Sequence, residues 1–223
     1  MLHKQSVVDL ILDRRLVAIL RLNDLGHANP LIEALLLGGV RAIEFTLTNP
    51  DAPAVIEKAR RSIAAFDQQT AAIGIGSVRN EDQAKRCIEA GAQFLVSPIT
   101  AEPIIRQAQQ QGVACLPGAF TPTEIALGWE LGADVIKVFP ARGLGPAFIR
   151  DVLAPMPFLK LMPTGGVDLT NMQAYFDAGA VAVGVGGSFL DETWIQEQRW
   201  DQVTRAASNY AQTAGPRPAR HPS

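Results

Sequence analysis

Along most of the chain a helix-spaced apolar face, a glycine and a short apolar run follow one another in fixed order. The unit appears as "LGGVRAIEFTL" (37–47), "AGAQFLVSP" (90–98), "QGVACLP" (111–117), "LGADVIKVFP" (131–140) and "AGAVAVGVGGS" (178–188). Glycine suits a helix C-terminus because it takes positive φ at little cost. The apolar runs that follow suit strands buried on both faces, as in a parallel sheet. The pattern predicts strands at 16–21, 40–46, 71–76, 93–97, 113–117, 134–139, 158–163 and 181–185. Helices are predicted between them, at 27–38, 50–65, 80–90, 101–111, 122–131, 146–155 and 169–178, with starts marked by "TNPDAP", "RNED", "TPTE" and "DLTN". Val7, Val8, Ile11 and Leu12 in "MLHKQSVVDLILDRR" predict one more amphipathic helix ahead of the first strand, not a signal peptide.

Strands alternating with helices in this number, over roughly 200 residues, predict the α/β class and a (β/α)8 TIM barrel with an extra N-terminal helix. Residues 1–213 are expected to form this single domain, and the proline-rich, basic end "AGPRPARHPS" (214–223) a flexible tail. A doubly wound open sheet is the alternative. Against it, the first strand is followed by "AILRLND" where a dinucleotide fold would place GxGxxG.

In such barrels the chemistry sits at the C-terminal strand ends, so position within the repeat is informative. Five residues beyond the helix-ending glycine, Gly39 leads to Glu44 and Gly132 leads to Lys137. Two in-strand charges thus share one slot, and strands in equivalent register would bring them face to face across the barrel mouth. A lysine desolvated by Val135, Val138 and Phe139 has a lowered pKa, and a neutral amine attacks a ketone to give a Schiff base. The competing reading is a lysine with a buried stem and a solvated head. Glu44 shares a face with Ala42 and Thr46; it is either a proton shuttle or a structural partner of Lys137, and a catalytic pair at rest is also an ion pair.

Two glycine-rich turns follow the last two strands, "PTGGVD" (163–168) and "GVGGS" (184–188). Their backbone N–H groups can approach an anion, and a short helix beginning at Ser188 is expected to point at it. Barrels often hold a phosphate at these two loops. Arg21, ending the first strand, is suited to a bidentate grip on a carboxylate. Thr48, Ser77 and Thr164 offer hydroxyls at strand ends or serve as turn residues. Lys160, four residues before Thr164, is expected to have a structural role.

Composition narrows the classes. Hydrophobic residues make up 48% and charged residues 19%, which supports a sizeable core. A formal net charge of −2 gives no reason to expect nucleic acid or an acidic membrane as a partner. No apolar run approaches bilayer length. Two cysteines, Cys87 and Cys115, form no CxxC pair, which fits a reducing cytoplasmic setting. The three histidines, His3, His27 and His221, show no metal-ligand spacing, and no metal site is expected.

"AIEFTLTNPDA", "GIGSV", "AGAQFLVSP", "PGAFTPTE", "GADVIKVFPA" and "PTGGV", in this order, resemble the KDPG/KHG aldolase family, over about residues 5–195. These are class I, metal-independent 2-dehydro-3-deoxy-6-phosphogluconate and 4-hydroxy-2-oxoglutarate aldolases. The resemblance implies a (β/α)8 barrel, a homotrimer, no cofactor and a small 2-oxo acid phosphate as substrate. It implies Lys137 as Schiff-base lysine and Glu44 as general acid/base. Arg21, Ser77, Pro98, Phe139 and Thr164 are implied as substrate-binding, and Gly165, Gly166, Gly187 and Ser188 as phosphate-binding; Thr48 is expected to join the substrate-binding residues through its hydroxyl. Three departures stand out: Thr48 where many members carry arginine, "GIGSV" for "GAGTV", and Ile99 in "SPI" for "SPG". The first leaves Arg21 as the carboxylate ligand. Thr164, often missing in phosphogalactonate aldolases, favours the gluconate epimer. Cleavage of unphosphorylated 4-hydroxy-2-oxoglutarate, cleavage of the galactonate epimer and oxaloacetate decarboxylation share the same enamine chemistry. A phosphate-binding isomerase or synthase barrel without an imine, and a non-catalytic binding barrel, are the readings from other classes.

Overall fold

The structure, a computed structural model, describes residues 4–216. It opens with α1 (Lys4–Arg14) and continues through β1 (Leu16–Leu20), α2 (Ala28–Leu37), β2 (Ala42–Thr46), α3 (Ala52–Ser62), β3 (Ala72–Gly76) and α4 (Glu81–Glu89). Then come β4 (Phe94–Val96), α5 (Glu102–Gln110), β5 (Ala114–Leu116), β6 (Gly118–Ala119), α6 (Pro122–Glu130), β7 (Ile136–Val138) and α7 (Gly145–Leu153). The chain closes with β8 (Leu161–Pro163), α8 (Met172–Asp177), β9 (Val183–Val185), α9 (Glu192–Gln196) and α10 (Trp200–Ala214). The glycines of the repeat, Gly39, Gly91, Gly112, Gly132 and Gly179, all take positive φ, between 65° and 103°. The sequence "TPTE" forms a capping box: Thr121 Oγ1 accepts from Glu124 N, and the Glu124 carboxylate accepts from Thr121 N.

Each predicted strand coincides with an observed one, trimmed at its ends. β6 carries the run predicted at 113–117 beyond Pro117, which has no N–H to give to a ladder. β8 starts at Leu161 rather than 158, because Leu159 N turns back to Met156 O (3.2 Å) and leaves Phe158 exposed. Two helices were not anticipated, α9 and α10. In α10 the buried Val203, Ala207, Tyr210 and Ala214 recur at helical spacing, so its signal was present in the sequence. Of the tail expected at 214–223, Ala214 is the buried last residue of α10 and residues 217–223 lie outside the described residues.

All strand pairs are parallel. One sheet has the order β5-β4-β3-β2-β1-β9 and a second has β6-β7-β8. Hydrogen bonds join them on both sides. Where β5 runs into β6, Asp134 N donates to Cys115 O (3.1 Å) and Lys137 N to Pro117 O (2.9 Å). Between β8 and β9, Val181 N donates to Leu161 O (3.0 Å), and Thr164 pairs with Gly184.

Strand alternation divides the apolar residues in two. Val17, Ala42, Ala72, Ala114, Val135 and Ala182 pack with Val7, Val8, Ile11 and Leu12 of α1 in one cluster. The opposite strand faces pack against the surrounding helices in a second, larger one. The first cluster also takes in Phe94, Val96, Leu116 and Met162; Ala42, Ala72, Ala114, Val135 and Ala182 lie at or before the starts of their strands, so α1 covers that end, fastened by Lys4 to Asp134 at 2.9 Å. The other end, where the parallel strands finish, remains for the polar residues.

Candidate active site

Residues two apart on a strand share a face. The face that begins with Ala42 and Val135 at the covered end continues upward as Glu44 and Thr46 on β2 and as Lys137 on β7, with Phe139 next along the chain. Glu44 is 1% exposed and Lys137 6% exposed. Burial is the largest influence on each. It pushes the Glu44 carboxyl up, against the pull of the Lys137 and Arg21 charges. It pushes the Lys137 amine down; Glu44 opposes this and Arg21 adds to it. Both directions favour the uncharged forms. The pair is within electrostatic reach, as the shared slot in the repeat predicts.

Lys137 Nζ stands 4.8 Å from the centre of the Phe139 ring. Glu44 Oε2 is buried and, among the described residues, has no hydrogen-bond partner. An orphaned carboxylate oxygen beside a desolvated amine is an expensive arrangement for a purely structural role. It is suited to taking a proton from, or giving one to, a bound molecule.

The other predicted residues lie where their parallel strands end, on one rim. Arg21 follows β1 and is exposed; it lines a cleft of about 120 Å³ with Ile19, Leu22, Gly187, Phe189 and Glu192. Thr48 follows β2, exposed, its hydroxyl 2.6 Å from that of the buried Thr46. Ser77 follows β3 with a φ of 61°, half-buried. Pro98, half-buried beyond β4, has its backbone packed against Gly118.

Thr164 is buried after β8; its N donates to Val138 O at 2.9 Å, which draws the turn against β7. Gly165 and Gly166 both have positive φ, 89° and 88°. A methyl on Gly165 would touch the Phe139 ring at 3.4 Å, and one on Gly166 would lie 2.5 Å from Arg142 Cβ. Asn171 Nδ2 holds the turn by donating to Gly166 O (2.8 Å). The backbone of this turn therefore lies against the residue that flanks the lysine.

One expectation is corrected. No helix begins at Ser188: residues 187–189 form a turn, and α9 starts at Glu192 behind its cap Asp191. Phe189 is the cause. It is buried against Tyr210, ring centres 5.0 Å apart, and its N bonds back to Gly186 O (2.7 Å). Ser188 Oγ is thereby turned to donate to Val167 O (3.1 Å), joining the two glycine turns to each other. Gly187 is exposed, and an added methyl there would meet no atom within 4 Å. Lys160 lies half-buried below β8, where its carbonyl accepts from Ile136 N.

The sequence reading missed the room that the inner-face glycines make for neighbouring side chains. A methyl on Gly74 would lie 2.5 Å from the Phe94 ring, one on Gly76 1.6 Å from Glu44 Oε1, and one on Gly184 2.3 Å from Thr164 Oγ1. Thr46 was also left out of the site, although alternation places it above Glu44. Among the described residues no group of three or more His, Cys, Asp or Glu side chains is placed to hold a metal ion.

Comparison with known proteins gives a consistent result. The family model described as KDPG and KHG aldolase matches residues 7–206. A 2-dehydro-3-deoxy-phosphogluconate aldolase of Dickeya dadantii is 32% identical over 206 residues, covering 92% of this chain and 94% of its own. A probable 2-dehydro-3-deoxy-6-phosphogalactonate aldolase of Rhizobium meliloti is 35% identical over 178 residues, 79% of this chain and 82% of its own. Among solved structures, the KDPG aldolase of Legionella pneumophila, with pyruvate captured as a covalent carbinolamine intermediate, superposes with a TM-score of 0.82. Its identity is 26%, over 92% of this chain and 97% of its own.

Proposed function

The chain belongs to the KDPG and KHG aldolase family, and on that premise we propose that it is a class I aldolase cleaving 2-dehydro-3-deoxy-6-phosphogluconate to pyruvate and glyceraldehyde 3-phosphate. The observation that carries this reading is Lys137, buried in β7 with its amine held toward the neutral form beside Glu44.

The neutral Lys137 amine attacks the 2-oxo carbon, and Glu44 assists loss of water from the carbinolamine to give the iminium. Glu44 then accepts the proton of the C4 hydroxyl as the C3–C4 bond breaks. The electron pair passes to the iminium, which becomes an enamine, and glyceraldehyde 3-phosphate leaves. Glu44 returns the proton to C3 of the enamine, and hydrolysis frees pyruvate and the amine. A neutral enamine replaces a carbanion that water alone would not stabilise. Arg21 grips the carboxylate, with Thr48, Ser77 and Thr164 offering hydroxyls and Pro98 and Phe139 lining the pocket. The phosphate lies against the backbone of Gly165, Gly166, Gly187 and Ser188.

A second reading, cleavage of the galactonate epimer, is favoured by the 35% identity to the Rhizobium relative. Offering both epimers separates the two. The hydrogen bonds on both sides of β6-β7-β8 support a closed (β/α)8 barrel over residues 1–213, with α1 as its extra N-terminal helix. We infer a homotrimer from the family, and the exposed Ile99, Phe120 and Leu127 offer apolar surface for such an assembly. A cytoplasmic location accords with both cysteines being free, and no helix among the described residues is long and apolar enough to cross a membrane.

The test is incubation with pyruvate and borohydride followed by peptide mass spectrometry. A reduced pyruvyl adduct on Lys137 is expected. No adduct on folded protein would point instead to a phosphate-binding barrel that works without an imine.

A further inference from the structure

The carboxylate of Glu44 does not sit beside its own register partner. On β3 the residue level with Glu44 is Gly74, and the residue level with Thr46 is Gly76. Yet the Glu44 side chain lies over Gly76. An ideal Cβ built there falls 1.6 Å from Glu44 Oε1, 2.3 Å from Cδ and 2.9 Å from Cγ, all far inside contact distance. The carboxylate has leaned along the strand direction by one inward-facing position, toward the rim and the candidate substrate residues. Strand side chains commonly lean along the strand direction, and the bare Cα of Gly76 leaves room for this one to do so.

The space level with Glu44 is not empty. At Gly74 an ideal Cβ would lie 2.5 Å from Phe94 Cδ2, 2.5 Å from Phe94 O and 2.6 Å from Cε2, so the ring and carbonyl of Phe94 on the neighbouring strand fill that position. Phe94 is fully buried. Two inward glycines on one strand therefore hold different occupants: the lower takes the Phe94 ring, the upper takes the Glu44 carboxylate.

Backbone conformation does not explain the upper glycine. Gly76 is absent from the positive-φ residues, so an alanine could adopt its φ and ψ. What the site requires at 76 is the missing side chain. With Oε1 seated there, Oε2 is left buried with no hydrogen-bond partner among the described residues. The groups whose charges bear on this carboxyl are Lys137 from β7 and Arg21 at the end of β1.

We propose that Gly76 is the positioning residue for Glu44: its bare Cα is the berth that holds the carboxylate against β3 at the height of the bound intermediate, and Phe94 over Gly74 blocks the lower alternative. The proposal rests on the reading of Glu44 as the proton shuttle. Gly76 itself contributes no group to the chemistry and acts through Glu44.

The experiment is a double-mutant cycle with Gly76→Ala and Glu44→Ala, scored by aldol cleavage and by borohydride trapping of pyruvate, with Glu44→Gln as control. Gly76→Ala is expected to lower kcat by about 100-fold, the range of a displaced general acid/base. Its KM should change little and the Lys137 adduct should still form slowly. The pH–rate profile should lose the limb that Glu44 supplies. In the Glu44→Ala background the berth has no occupant, so the double variant should turn over no more slowly than Glu44→Ala alone. Losses that multiply, or a Gly76→Ala enzyme with an unaltered pH profile, would overturn the proposal. If Gly76→Ala alone does not fold, the double variant is expected to fold, because the clash is gone. Failure of both to fold would assign the glycine to packing and overturn the proposal. Full activity in Glu44→Gln would instead remove the reading of Glu44, a result distinguishable from either.

Discussion

Replacing Lys137 by methionine separates a catalytic lysine from a structural one. Lys137 is 6% exposed, so its methylenes are already packed, and an unbranched methionine refills the same space. The head group is what changes. Among the described residues Nζ makes no hydrogen bond. The Phe139 ring at 4.8 Å and the Glu44 charge favour its charged form, while burial and Arg21 oppose it. A buried polar group with incomplete partners costs about 1–3 kcal/mol. Lys137→Met is therefore expected to gain that much at neutral pH, a rise in Tm of about 2–12 °C for a domain of this size.

The gain depends on pH in a defined direction. The folded-state pKa of Lys137 lies below its ordinary 10.5. Between those two values the folded protein has released a proton that the unfolded chain still holds, so wild-type stability rises with pH through that window. The advantage of the methionine variant is largest below it and shrinks as pH approaches 10.5. Glu44 loses its counter-charge in the variant, but burial already pushes its carboxyl toward the protonated form, which limits the offset. Thermal unfolding over a pH series and a lactate dehydrogenase-coupled assay for pyruvate check both halves. A methionine variant several degrees less stable than wild type at neutral pH would make Lys137 a structural ion-pair partner. Retained pyruvate release would refute the imine.

Glu44→Gln should keep the pyruvyl adduct on Lys137 while slowing cleavage by about 10²- to 10⁴-fold. Because burial raises the Glu44 pKa above 4.5, wild type loses stability as pH rises from there through the folded value; the glutamine variant lacks this loss, so its Tm advantage should grow over that range. Arg21→Gln should raise KM by about 10- to 100-fold, the worth of charge-assisted hydrogen bonds to a carboxylate, for phosphorylated and unphosphorylated substrates alike. Gly166→Ala forces a side chain onto a φ of 88° and against Arg142; it should raise KM for the phosphorylated substrate and leave pyruvate trapping nearly intact. A uniform loss on both substrates would detach that turn from the phosphate.

The repeat made much of the architecture legible. A helix that ends in a positive-φ glycine and a short apolar strand are local events, fixed by backbone sterics and by burial of both strand faces. Gly39, Gly91, Gly112, Gly132 and Gly179 therefore announced their turns, and the strands appeared after them. The same arithmetic placed Glu44 and Lys137 in one slot, since parallel strands with equivalent starts carry equivalent residues to equivalent heights. α10 was overlooked although its period was readable in Val203, Ala207, Tyr210 and Ala214.

Other features had no local signal. Ser188 looked like a helix start, but the burial of Phe189 against Tyr210 made a turn of it, a contact across 21 residues of chain that no short window contains. Gly74 and Gly76 stood out only as part of "GIGSV", and Gly184 only as the start of a glycine-rich turn. Each one's role depends on the side chain that a neighbouring strand sends over it.

The sequence by itself determined the alternation of strands and helices up to β9, the parallel sheet and the two in-strand charges in one slot of the repeat, because these follow from periodicity and from the conformational limits of single residues. Only the tertiary structure decided where the Glu44 carboxylate rests, which of its oxygens is left unpartnered and how far each charge is driven toward neutrality. Those depend on volumes and desolvation summed over residues from several strands, and steric exclusion and dielectric burial arise only once those strands are packed together.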